Sequence, residues 1–93
     1  MSELLDALAT YIATLSHSAK ETHRAEDRHV YAQHLAAAAQ FFVAVHAGRV
    51  EELRALVASE QHAYGWGYLS NAEGAAAEKA FADFAKFVET NAT

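Results

Sequence analysis

Three residues of this 93-residue chain combine type and placement in a way that could support chemistry: Asp27, His34 and Glu60. Carboxylates and imidazoles are acid–base groups and ligands for zinc or iron. Glu60 stands between Val57 and Tyr64, where a helical period calls for an apolar residue. His34 sits in a line that reads Asp27, Tyr31, His34, Leu35, Ala38, Phe41, Phe42 and Val45. The C-terminal half of that line is apolar, and its N-terminal half turns polar without leaving the stripe. A small polar pocket would have Asp27, His34 and Glu60 as its ionisable groups and Tyr31, Tyr64, Trp66 and Tyr68 as its walls. The simpler reading is structural. A half-buried carboxylate is costly without a partner, and His34, Arg28 or a tyrosine hydroxyl could supply one.

Other arrangements carry less. Glu26-x-x-His29 has the spacing found in helical di-iron carboxylate bundles, but it occurs once and on the polar stripe with Gln33 and Gln40. His17, His23 and His46 share no ligand spacing, and His46 suits the C-terminal end of a helix. There is no cysteine, and hence no disulfide or thiolate metal site. The serines are placed at caps or on helix surfaces, without an elbow motif or a paired base. An enzyme is therefore the weakest reading, and no cofactor is expected.

The elements that must position these residues are helices. Alanine makes up 23 of the 93 residues, and neither Gly nor Pro occurs before Gly48. Leu5, Leu8, Ile12 and Leu15, widened by Leu4 and Tyr11, form the stripe of a first helix. Ser16-His17-Ser18 interrupts it, and Ser18 with Glu21 has capping-box spacing, so a second helix is expected from about residue 19. Its stretch Glu26 to Gly48 reads as the central helix around which the rest packs, ended by Gly48. A third helix runs from Val50 to the glycine–aromatic segment Tyr64–Leu69. A fourth opens on the capping pair Ser70 and Glu73, with Ala77, Phe81, Phe84 and Val88 as its stripe. The short connection at Gly48 makes the second and third helices an antiparallel hairpin. Phe42 then faces Leu53, Ala38 faces Val57, Tyr31 faces Tyr64, and Glu60 faces Leu35 and its neighbour His34. Asp27 falls near Tyr68.

Composition bounds the function. A net charge of −5 without a basic run gives no footing for nucleic acid or an anionic membrane. No apolar run reaches the length of a membrane span, and the N-terminus lacks a basic signal region, so the cytoplasm is the default. The expected fold is all-α, a small four-helix up-and-down antiparallel bundle forming a single domain over residues 1–93. The core is modest, and Phe41, Phe42 and Val43 point in three directions that one neighbouring hairpin cannot cover. A homodimer is therefore expected, with the alanine-rich helix near its interface. The leading functional reading is an interaction or regulatory module acting through self-association and the aromatic segment Tyr64–Leu69. The alternative is a small-ligand or metal-binding protein using the Asp27–His34–Glu60 pocket.

Overall fold

A computed structural model describes residues 2–64 and 72–91. The described residues form four α-helices and no strand: α1 Ser2–Glu21, α2 Ala25–Ala47, α3 Val50–Tyr64 and α4 Ala72–Asn91. In α1, Leu4, Leu8, Tyr11, Leu15 and Ser18 are buried and recur at alternating spacings of four and three, one face of a helix. Leu5 and Ile12 are only half-buried at its edge.

The expected break at Ser16–Ser18 is corrected. Ser18 lies on the buried face, so it is neither a cap nor a surface serine, and α1 continues through it. The break falls at residues 22–24 instead. There the Thr22 hydroxyl accepts from the Arg24 amide at 3.4 Å, and the Arg28 guanidinium reaches the Thr22 carbonyl at 3.4 Å. A side chain that satisfies nearby backbone gives the chain an alternative to continuing the helix.

The end of α2 is as expected. Gly48 is left-handed, with φ 70°, and its amide bonds the Val45 carbonyl at 3.2 Å while the Arg49 amide bonds that of Ala44 at 3.0 Å. This pair of bonds satisfies the last carbonyls of α2 and turns the chain directly into α3. In α4, Ala77, Phe81, Phe84 and Val88 are buried, as the stripe requires. Ser70 and the side chain of Glu73, the expected cap of this helix, lie outside the described residues.

The helices pack as a ring in which α1 neighbours α2 and α4, and α3 closes the circle against the same two. The expected central helix is thus one wall of four. Its contact with α4 across the ring is made by side chains, Phe41 stacking on Phe81 and Phe84 at centroid distances of 6.3 and 5.4 Å. Phe81 also meets Tyr11 at 5.4 Å and Tyr64 at 4.9 Å, so one ring touches an aromatic from each other helix. Burying such a side chain contributes roughly 1.5–3 kcal/mol. The radius of gyration, 12.6 Å, is that of a compact chain. Phe42 departs from the expected register: it does not face Leu53 in the core but is 48% exposed beside α1. Phe41 takes the core position, because the adjacent residue is rotated by about 100°.

Candidate functional site

The two polar intruders of the apolar stripes meet. His34, on the second turn of buried residues in α2, donates its Nδ1 proton to Glu60 Oε2 on α3 at 2.6 Å. A carboxylate oxygen can only accept there, which fixes the role of the ring nitrogen. The two side chains are 7% and 12% exposed, so the pair is removed from water and each group compensates the other. Among the described residues, Glu60 is the hydrogen-bond partner of His34.

Tyr64 extends this pair into a network. Its ring stacks on the His34 imidazole with centroids 4.4 Å apart and planes 16° from parallel. Its other neighbours are Phe81, stacked at 4.9 Å, and the hydroxyl of Tyr11, hydrogen-bonded at 2.7 Å. All four helices thus contribute to one level of the ring: Tyr11 from α1, His34 from α2, Glu60 and Tyr64 from α3, Phe81 from α4. Burial raises the Tyr11 phenol far above its ordinary range, and the neighbouring Tyr64 adds to the effect. Burial also raises Tyr64, the hydrogen bond with Tyr11 partly offsets this, and the charge of Glu60 reinforces it. Both phenols are therefore neutral hydrogen-bonding groups at neutral pH.

Of the residues expected to form a pocket, His34, Glu60 and Tyr64 are brought into contact. Tyr31 is fully buried and close enough to influence Tyr64. Asp27 is half-buried two turns before His34, about 10 Å along the helix axis, and forms no hydrogen bond or ion pair with either residue. Trp66 and Tyr68 lie outside the described residues. Tyr11 was visible only as part of the α1 stripe. The signal that could have singled it out is a hydroxyl at a core position, which needs a partner when buried.

The arrangement resembles a carboxylate-oriented imidazole, the base half of an acid–base site. What it lacks among the described residues is a nucleophile or a substrate-facing hydroxyl bonded to His34. Among the described residues no group of three or more histidine, aspartate or glutamate side chains could hold a metal ion, and Glu26 of the Glu26-x-x-His29 spacing is largely exposed. No described helix is long and apolar enough to cross a membrane. Fold and site together define an all-α protein of four helices with an internal polar network. Comparison with protein-family models, with curated proteins and with solved structures finds no match.

Proposed function

We propose that this protein is an interaction module that works by self-association, built on an up-and-down antiparallel bundle. The observation that carries this reading is the outward side of α2. Phe42 and Val43 are 48% and 59% exposed, next to a groove of about 510 Å³ lined by Leu5, Leu8 and Ile12 of α1 and by Phe42 and His46. Scattered surface hydrophobics are ordinary, but adjacent large ones beside an apolar groove mark an interaction surface. The alternating direction of the helices is supported by the residues that share walls. Glu3 and Phe87 line one groove between α1 and α4 together with Thr10 and Ala80, so low numbers on α1 meet high numbers on α4. His34 with Glu60, around the turn at Gly48, gives the same sense for α2 and α3.

The ligand-pocket reading has less support, because His34 and Glu60 are already engaged with each other and Asp27 stands apart from them. Light scattering at tens of micromolar is expected to give the mass of a dimer. Phe42→Glu with Val43→Glu is expected to give a monomer with unchanged helical circular dichroism. A native protein that is monomeric under these conditions would overturn the proposal.

A further inference from the structure

We infer that the last two turns of α3, residues 58–64, act as a lid over His34 that releases while the rest of the bundle stays folded. In the other helices buried apolar residues run over most of the length: Leu4 to Leu15 in α1, Tyr31 to Val45 in α2 and Ala77 to Val88 in α4. In α3 the buried residues are Leu53 and Val57, both in its first half. None of residues 58–64 is buried, and the hydrophobic side chain among them that packs on the core is Tyr64. Local unfolding starts where few apolar contacts are buried. The seam with α4 is also open, with a groove of about 350 Å³ lined by Arg54, Val57 and Gln61 of α3 and by Ala85, Val88 and Glu89 of α4.

What holds this stretch is polar and aromatic. Glu60 accepts from His34 at 2.6 Å, and the Tyr64 hydroxyl shares a hydrogen bond with that of Tyr11 at 2.7 Å. Tyr64 adds its stacking on His34 and Phe81. When the stretch releases, both partners of each hydrogen bond reach water and bond to it instead, so the net loss is modest. A substitution that strands one buried partner is the costlier event. The groups that hold the lid are also those that cover His34: Glu60 engages its Nδ1, and Tyr64 lies on one face of its ring. Release therefore uncovers the imidazole and frees that nitrogen, while Leu53 and Val57 anchor the first half of α3. Seven detached residues are too few to stay helical in water, so release and unwinding are one event. The imidazole is closed off by its own chain in the resting bundle and becomes available to a ligand or partner in the released form. The lid lies on the α3 side of the ring, away from the α1–α2 groove proposed for self-association, so the two readings stand or fall separately.

Amide hydrogen exchange of the full chain, read residue by residue by NMR in urea below the unfolding transition, tests the lid. Exchange at residues 58–64 is expected to be nearly independent of urea, because releasing a helix end exposes little surface. Amides in the buried stretches of α1 and α4 are expected to speed up steeply. Tyr11→Phe removes one of the two hydrogen bonds without changing the ring, and is expected to speed exchange at 58–64 roughly tenfold. Glu60→Gln keeps the shape and removes the charge, and is expected to act in the same direction. Modification of His34 by diethyl pyrocarbonate, located by peptide mass mapping, is expected to rise by the same factor as the exchange. Exchange at 58–64 that rises with urea in step with α1 and α4 overturns the lid, since the stretch then opens with the whole protein. Exchange left unchanged by Tyr11→Phe overturns it too, because simple fraying of a helix end does not involve α1. So does His34 modification that fails to follow the exchange.

Discussion

Glu60 breaks the apolar line of α3 because His34 stands opposite it, and the two are costly to separate. Glu60→Ala is expected to destabilise the protein by about 3 kcal/mol in urea titrations, since it strands a buried imidazole. The double variant His34→Ala/Glu60→Ala should cost less than the sum of the singles by about 1 kcal/mol or more. Strict additivity would show that the 2.6 Å contact contributes nothing. The phenols give a second test, at alkaline pH. Tyr11 and Tyr64 both ionise less readily in the folded chain than in the unfolded one, where the ordinary value is near 10. The sign follows: above that value the unfolded chain releases protons that the folded chain retains, so stability is complete below it and lost as pH rises. The loss is expected to reach up to about 1.4 kcal/mol per pH unit for each phenol. Comparing urea midpoints at about pH 8 and about pH 11 measures it, and Tyr11→Phe should flatten the slope. A midpoint that does not change with pH would mean that the phenols ionise in place. The His34–Glu60 contact could be read from the chain because two independent departures from apolar patterning fell at one height of a hairpin. Tyr11 could not, since its partner lies 53 residues away and no local pattern ties the two together.

At the scale of the helices, termini were readable wherever a backbone conformation demanded a particular residue. Gly48 is such a place, with φ 70° and open space where a β-carbon would stand. Gly48→Ala is therefore expected to cost about 1 kcal/mol through backbone strain alone, without a clash. Equilibrium urea unfolding measures this, and a neutral result would show that the turn tolerates another geometry. The break between α1 and α2 was misplaced because serines at 16 and 18 and a threonine at 22 compete for the same role. Which of them turns toward the core is settled by packing: Ser18 and Thr22 are buried, whereas Ser16 is exposed. The rotation of α2 has the same origin. Periodicity alone admits Phe41 or Phe42 as the inward residue, and the positions of α1, α3 and α4 around it select Phe41.

At the scale of the molecule, the alanine content and the absence of Gly and Pro over the first half of the chain were enough for an all-α protein of four helices. The ring was not readable, because α1 packs on α4 and neighbours so distant in sequence leave no local signature. Phe81 shows what that closure implies. Its ring touches Tyr11, Phe41 and Tyr64, one from each of the three helices that precede α4 in the chain. During synthesis those three helices emerge first, and their aromatic surfaces have no lid until α4 follows. The nascent chain thus passes through a stage at which sticky inner rings are uncovered while the outer side of α2 is already formed. For that interval the inner aromatic surface of the growing bundle stands open, and the arrival of a single phenylalanine closes it.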